Sequence, residues 1–378
     1  MFSEKLKALK QDILFRQIND RQGTIMPNIS FDSAEYVNFA SNDYLGLASA
    51  AALRDAAEHA IAEFGFGAGA SRLLAGGTQI HSTLEKAVAA FKGTETALVF
   101  GSGYIANISA LPSIAGEGAV IFSDELNHAS LIDACRLSRA RKAIYTHCDT
   151  AHLSMLMQAA KSDKKIVVTD SIFSMDGDIA PLLEITALCK DHGALLYLDD
   201  AHATGVLGNG RGALAHFGIR PEPWIIQMGT FSKALGSYGA FIAAEKDLIE
   251  WLVNTARGFI YSTALPACVA AASLKALQLV QSEPTLISRL WQNRERLFKG
   301  IHSLGLNTML SETPIIPIVV GDVKKTMDIS SALRQRRVYC PAIRPPTVKQ
   351  PRIRVTVTAA HSDEDIALLL GALEESLL

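Results

Sequence analysis

The sequence predicts an α/β fold in which a large domain holds a seven-stranded, mostly parallel sheet and a smaller α+β domain follows. Between residues 97 and 244, short apolar runs rich in β-branched residues alternate with longer helical patterns. This order is typical of a parallel sheet with helical crossovers. Several of the runs are apolar on both faces, as expected of strands buried between layers of helices.

The elements follow from these patterns in chain order. The first residues mix acidic and apolar positions and predict an amphipathic helix, not a signal peptide. The seven predicted strands are 97–100, 120–123, 143–146, 166–170, 195–199, 225–229 and 239–243. We expect at least the first six to be parallel, with functional residues gathered at their carboxyl ends.

The large domain is expected to end with a helix over 265–280, and the chain after it has the pattern of a second, smaller domain. In this domain, helices are expected over 287–304 and 363–377, and strands over 315–320 and 353–357. The predicted organisation is an N-terminal helix and arm over 1–45, a large α/β domain over 46–280, and a small α+β domain over 281–378.

Composition excludes several functional classes. Hydrophobic residues make up 49% of the 378 residues and charged ones 20%, with a net charge of −2. A chain of this balance has no electrostatic attraction to nucleic acid or to an anionic membrane. No long uncharged apolar segment predicts a membrane span. The five cysteines contain no C-x-x-C pair, so we expect reduced thiols and a cytoplasmic protein.

Lys233 is the most informative residue. It lies among small and hydroxylated residues in 230–236, about thirty residues after Asp199-Asp-Ala-His202, which closes an apolar strand. Such a lysine can form a Schiff base with an aldehyde cofactor, and a strand-end carboxylate can keep a pyridinium nitrogen protonated. Taken alone, a solvated surface lysine is the commoner outcome.

Other polar residues fall at the same predicted edge of the sheet. Gly103 and Tyr104 open a helical pattern after a strand, where backbone N–H groups bind an anion or simply form a tight turn. His128 suits either a capping residue or an aromatic plate over a cofactor ring. Three acidic residues in 170–178 match no familiar oxygen-ligand loop, so no metal is expected.

Together these strings resemble the α-oxoamine synthases of the fold-type I pyridoxal-phosphate enzymes. The resemblance covers almost the whole chain, in segments 41–46, 103–107, 127–130, 173–178, 199–202, 230–233, 261–263 and 357–361. It implies a fold-type I transferase that binds pyridoxal 5'-phosphate (PLP) and works as a homodimer with shared active sites.

The resemblance also implies roles for individual residues. Lys233 would carry the cofactor and remove the Cα proton of the amino acid, with His128, Asp199 and His202 as the other catalytic positions. The implied cofactor-binding residues are Gly103, Tyr104, His128, Ser174, Asp199, His202, Thr230, Lys233, Ser262 and Thr263, of which Ser262 and Thr263 would reach the neighbouring chain's phosphate. The implied substrate-binding residues are Arg16, Asn42, His128, Thr347 and Arg354. Arg21 is the alternative to Arg16 as the substrate-binding arginine of this segment. Asp170 stands at a position where members of the family usually have glutamate.

The segment 342–348 and the Asp-Asp-Ala-His string favour one reaction within the family. This is condensation of L-alanine with a pimeloyl thioester, on coenzyme A or acyl carrier protein, with loss of CO₂. Two alternatives stay open: a sister enzyme that condenses glycine with a short acyl-CoA, and a catalytically silent PLP-binding paralogue.

Overall fold

The computed structural model describes residues 2–377 of the chain. Its strands are β1 (Asn28–Phe31), β2 (Ala34–Asn38), β3 (Thr96–Phe100), β4 (Ala119–Asp124), β5 (Arg141–Tyr145), β6 (Lys164–Asp170), β7 (Leu195–Asp199), β8 (Ile225–Thr230), β9 (Ala240–Ala244), β10 (Ile315–Val319), β11 (Val338–Tyr339), β12 (Ala342–Ile343) and β13 (Arg352–Thr356).

Helices connect most of these strands. They are α1 (Phe2–Gln11), α2 (Ala51–Phe64), α3 (Gln79–Lys92), α4 (Gly103–Ile114), α5 (Ala129–Leu137), α6 (Thr150–Ala159), α7 (Leu182–Asp191), α8 (Ala213–His216), α9 (Lys246–Thr255), α10 (Arg257–Ile260), α11 (Ala267–Ser282), α12 (Pro284–Ser303), α13 (Val323–Gln335) and α14 (Asp363–Leu377). In the described part of the chain, none of these helices has the length and apolarity that a membrane crossing requires.

Two compact units result. One comprises Ala50–Phe173 and Ile179–Ile287, and the other comprises the chain up to Ser49, the short stretch Ser174–Asp178, and the chain from Ser288 onwards. We call them the large unit and the small unit. The small unit therefore contains the N-terminal arm and the C-terminal segment together.

The large unit is built on the predicted seven-stranded sheet, with the order β3-β9-β8-β7-β6-β4-β5. The pairs β4–β5, β4–β6, β6–β7 and β7–β8 are parallel, whereas β9 is antiparallel to both β8 and β3. The predicted α/β fold is thus confirmed. The antiparallel direction of β9 has a local cause. The connection 231–239 between β8 and β9 is shorter than the dozen or so residues that a parallel crossover needs.

The sheet places acidic residues side by side. Strands β4, β6 and β7 end at Asp124, Asp170 and Asp199, and all three side chains are at most 4% exposed. Asp170 and Asp199 are direct partners in the ladder. Since the three strands are parallel, their carboxylates gather at one edge, which is where α/β sheets bind ligands.

A buried ion pair holds α3 against the turn that follows β7. The Lys92 ammonium lies 2.7 Å from Asp200 Oδ2 and donates to the Arg211 carbonyl oxygen at 2.6 Å. Gly212 has φ +102° beside this pair, and a Cβ there would lie 1.8 Å from Asp200 Oδ2. The turn therefore needs glycine both for its conformation and for space.

We expect Lys92→Met to lower the free energy of unfolding by about 3–5 kcal/mol, because it leaves the Asp200 carboxylate buried without its cation. Urea denaturation followed by circular dichroism measures this. Lys86→Met, an exposed position on the same helix, is the control and should change stability by less than about 0.5 kcal/mol. Equal stability of the two variants would contradict the prediction.

The small unit contains two three-stranded sheets. One has the order β1-β2-β11 and the other β10-β13-β12. In the first sheet, Val338 of β11 pairs in parallel with Val37 of β2. Strand pairing therefore joins the N-terminal arm to the C-terminal segment. The core of this unit includes Phe39, Leu297, Ile316 and Val355, each fully buried.

Candidate active site

In the large unit, Asp199 is held by a chain of neutral donors. Asn107 Nδ2 on α4 donates to Asp199 Oδ2 at 2.8 Å and to Ser130 Oγ at 2.9 Å. The Tyr197 hydroxyl donates to Asn107 Oδ1 at 2.9 Å, which fixes the orientation of the amide. The Ala201 N–H donates to Asp199 Oδ1 at 3.0 Å. These donors therefore fix the Asp199 carboxyl group as a hydrogen-bond acceptor.

His128 caps the N-terminus of α5. Its Nδ1 lies 2.7 Å from Ser130 Oγ and accepts from the Ser130 N–H at 3.2 Å. Burial lowers the pKa of His128, against the raising effect of the Asp199 charge, and the Lys233 cation lowers it further. A neutral imidazole is the result near neutral pH, and this suits a ring that stacks on another ring.

Asp170 fixes the position of the His128 backbone. Its Oδ2 accepts the His128 backbone N–H at 2.7 Å. Burial raises the pKa of Asp170 well above its usual range and the Asp199 charge adds to this, whereas the His128 N–H and the Lys233 cation oppose it. Two buried carboxylates therefore repel each other at the same edge of the sheet, in a setting that a cation would relieve.

Lys233 follows β8 in the loop 231–239 and is half-buried. Its ammonium acts electrostatically on both His128 and Asp170, so the three lie in the same region of the large unit. Thr230 anchors the loop, because its hydroxyl donates to the Gly239 carbonyl at 2.8 Å and accepts the Ser232 N–H at 3.1 Å. The structure thus brings together the lysine, the histidine and the carboxylates that the sequence predicted.

Gly103 and Tyr104 form the first turn of α4. The helix is capped by Ser102, whose hydroxyl accepts the Ile105 N–H, and the preceding amides are available to an anion. Tyr104 is exposed, and its hydroxyl bonds to Asp133, which raises the pKa of the phenol. A Cβ at Gly103 would meet only Met228 Cε, at 3.7 Å. The packing within the chain therefore does not by itself demand a glycine there.

The remaining predicted residues of the large unit are His202, Ser262 and Thr263. His202 is 6% exposed in the turn after β7. Ser262 and Thr263 follow α10 and line a small cleft together with Arg72, His81 and Gly101. They lie on the same unit as Lys233, in a segment separate from the loop 231–239.

In the small unit, Arg354 on β13 is buried, at 4% exposure. Its Nε donates to the Ser174 carbonyl at 2.6 Å, its Nη1 to Thr356 Oγ1 at 2.8 Å and its Nη2 to Asn42 Oδ1 at 3.1 Å. Burial lowers the pKa of Arg354, and an interaction with Tyr44 opposes this. Each of these four partners is a neutral group, so the guanidinium is held in a fixed orientation without a carboxylate among them.

The small unit also brings Arg16 to Thr347, with Arg16 Nη2 donating to Thr347 Oγ1 at 3.3 Å. Arg21 instead contacts the Gly23 carbonyl. Arg344 holds the N-terminal arm by donating to the carbonyls of Ile13 and Phe15, each at 2.7 Å. Burial lowers the pKa of Arg344, and the Arg16 charge adds to this. The charges of Arg16 and Arg344 therefore act on each other in the region of Thr347.

Sequence reasoning did not identify Asn107, Ser130, Tyr44 or Arg344 as site residues. Asn107 and Ser130 lie inside the quoted strings 103–107 and 127–130, and Arg344 lies inside 342–348. Their position inside segments that carry the family resemblance is the signal from which a role in the site could have been inferred. What they touch depends on contacts between distant parts of the chain.

Comparison with known proteins places the chain in a family. The family model of aminotransferase class I and II matches residues 34–373, and the chain belongs to that family. A relative from Thermodesulfovibrio yellowstonii, named putative 8-amino-7-oxononanoate synthase, is 50% identical over 99% of this chain and 96% of the relative. The 8-amino-7-oxononanoate synthase of Geotalea daltonii is 46% identical over 98% of this chain and 96% of its own length. The resemblance to the α-oxoamine synthases is confirmed.

A solved structure extends this comparison. A serine palmitoyltransferase from S. paucimobilis, with a bound PLP–myriocin aldimine, has a TM-score of 0.93 at 26% identity and covers 99% of this chain and 96% of its own. The predicted fold-type I transferase architecture is therefore confirmed as well.

Proposed function

We propose that this protein is a PLP-dependent acyltransferase that condenses L-alanine with a pimeloyl thioester. The products are 8-amino-7-oxononanoate, CO₂ and the free thiol carrier, and the reaction is a step of biotin biosynthesis. The names of the curated relatives support this. The observation that carries the proposal is the pair of buried carboxylates, Asp170 and Asp199, beside Lys233.

These residues fit PLP. A protonated pyridine nitrogen is a cation that would relieve the repulsion between Asp170 and Asp199, and the neutral imidazole of His128 suits the face of a ring. The Lys233 amine would form the Schiff base with the aldehyde carbon of PLP. Gly103, Tyr104 and Thr230 would hold the phosphate, and His202 the ring hydroxyl. Ser174 would be a further cofactor-binding residue. Ser262 and Thr263 would bind the phosphate in the active site of a neighbouring chain.

When bound, PLP supplies an electron sink that stabilises negative charge at the Cα of the amino acid. Lys233 would take up the Cα proton of the amino acid. Asp199, whose Oδ2 accepts from Asn107 Nδ2, would accept from the ring nitrogen and favour its protonated form. His128 would cover the ring and exclude water from it.

The small unit binds the substrates. The Arg354 guanidinium, with only neutral partners among those described above, is suited to the carboxylate of L-alanine, because a buried cation gains most from a charged partner. The two cations Arg16 and Arg344, which act electrostatically on each other near Thr347, suit an anionic acyl substrate. Asn42 contributes indirectly by orienting the Arg354 fork at 3.1 Å.

Assembly and location complete the proposal. The protein is a cytoplasmic homodimer in which Ser262 and Thr263 serve the partner's active site. The five cysteines are all free thiols, which is usual for a protein of a reducing compartment.

Product mass measurement tests the function directly. We expect L-alanine with pimeloyl-CoA or pimeloyl-acyl carrier protein to give the mass of 8-amino-7-oxononanoate, with release of one thiol per turnover. A faster reaction of glycine with a short acyl-CoA would instead identify a sister α-oxoamine synthase. Release of no thiol from any thioester, with PLP bound, would identify a silent paralogue.

A further inference from the structure

Asp124, His147 and Cys148 form a connected chain of side chains that the proposed function does not use. Asp124 ends β4, and His147 and Cys148 follow β5, which pairs in parallel with β4. His147 Nδ1 lies 3.0 Å from Asp124 Oδ1, and His147 Nε2 lies 3.7 Å from Cys148 Sγ. A carboxylate, an imidazole and a thiol in this order have the arrangement of an activated nucleophile.

Asp124 is fixed as an acceptor. It is 1% exposed, its Oδ1 accepts the Leu126 N–H at 2.8 Å, and its Oδ2 accepts the Cys148 N–H at 2.9 Å. The neighbouring His147 Nδ1 must then carry a proton, because two acceptors do not form a hydrogen bond. This assignment turns the other ring nitrogen, Nε2, towards the sulfur as a proton acceptor.

The His147 ring is also held in orientation. It packs edge-on against Phe173, with ring centroids 4.4 Å apart at 88°. The His147 backbone N–H donates to Glu125 Oε1 at 3.2 Å. The carboxylates of Asp124 and Glu125 both contact His147, and the phenol of Tyr145 is buried close to Asp124, with its pKa raised by burial.

We propose that Cys148 is a reactive thiol site, activated by His147 and Asp124, that reacts with soft electrophiles and with hydroperoxides. The thiol proton moves to His147 Nε2, and the thiolate attacks one peroxide oxygen. The O–O bond breaks, the sulfur is oxidised by two electrons to a sulfenic acid, and the peroxide leaves as hydroxide or alkoxide, which takes the proton from His147.

The other cysteines differ in their surroundings. Cys135, Cys189, Cys268 and Cys340 are buried, whereas Cys148 is partly exposed. Burial raises the pKa of Cys135 to about 11 and that of Cys189 to about 12, which makes these thiols inert at neutral pH. They are internal controls for the reactivity of Cys148.

The test is timed alkylation of the PLP-loaded enzyme with iodoacetamide, with each cysteine quantified by peptide mass spectrometry. We expect Cys148 to be alkylated first, with the midpoint of its pH profile below the ordinary thiol range of about 8.5. His147→Gln should slow alkylation at pH 6 by roughly tenfold, after allowance for the weaker nucleophilicity of an acidic thiol. His59→Gln, which changes an exposed histidine on α2, is the matched control and should leave the rate unchanged.

Peroxide treatment provides the second readout. A dimedone adduct should form at Cys148 in the unaltered enzyme and be strongly reduced in His147→Gln. If His147→Gln melts early, Asp124→Asn replaces it and should show the same slowing. Equal alkylation rates in the variants and the unaltered enzyme would overturn the proposal. So would labelling of Cys148 that appears only after a chelator is added, since the polar atoms of these three side chains lie within 4.8 Å of one another and a bound metal ion would then be the explanation. None of these readouts depends on the substrate or on turnover.

Discussion

Lys233→Ala is expected to abolish turnover and to remove the visible absorbance of the bound cofactor. The amine is placed where it acts on both His128 and Asp170, and no shortened side chain can supply a nucleophile or a proton acceptor there. Loss of the base alone costs about 10²–10⁴-fold in rate, and loss of the covalent link adds to it. Steady-state thiol release and the absorption spectrum of the purified variant measure the two effects separately.

The matched control is Lys246→Ala, an exposed lysine at the start of α9 whose ammonium is 3.6 Å from Glu250. It should keep both the spectrum and the rate. Thermal unfolding of the cofactor-free proteins should be similar for the two variants, because Lys233 is only half-buried. A Lys233→Ala protein that kept its visible band at full strength would show that a different lysine carries the cofactor.

The sheet could be predicted because its strands carry a local signal. The segments 166–170 and 195–199 are apolar on both faces, and they fall within β6 and β7. Strands β11 and β12 have only two residues each, so they show no period at all. Their partners are β2 and β13, and the pairing of β11 with β2 joins positions about three hundred residues apart. Such strands arise from tertiary contacts, which a local pattern does not contain.

As with the sheet, part of the candidate site could be predicted from local sequence patterns, and part depends on contacts between distant residues. Asp199 and His128 stand out because polar residues follow apolar strands. The choice between Arg16 and Arg21 could not be made from spacing, since both lie in the same irregular segment. In the structure Arg16 reaches Thr347 and Arg21 turns to its own backbone. Asp170, which departs from the usual glutamate, reaches the His128 N–H at 2.7 Å despite its shorter side chain.

The second large effect is expected for Arg354→Ala, which should raise the KM for L-alanine by about 100-fold or more, roughly 3 kcal/mol, and leave the KM for the thioester nearly unchanged. Three of its nitrogens donate to fixed neutral acceptors, so the fork is oriented before any ligand binds. Arg354→Lys should restore little, because an ammonium cannot reproduce the planar, bidentate geometry.

Arg352 provides the control for this prediction, because it is a buried arginine on the same strand with a different partner. Its Nη1 lies 2.6 Å from Asp176 Oδ1, so its charge is already compensated by a carboxylate of the chain. Arg352→Lys should therefore lower the melting temperature without raising the KM for L-alanine. Since both arginines are 4% exposed, burial alone would predict the same outcome for both. A rise in KM confined to Arg354 would identify the neutrality of its partners as the property that makes this guanidinium a binding group, and equal rises would refute that assignment.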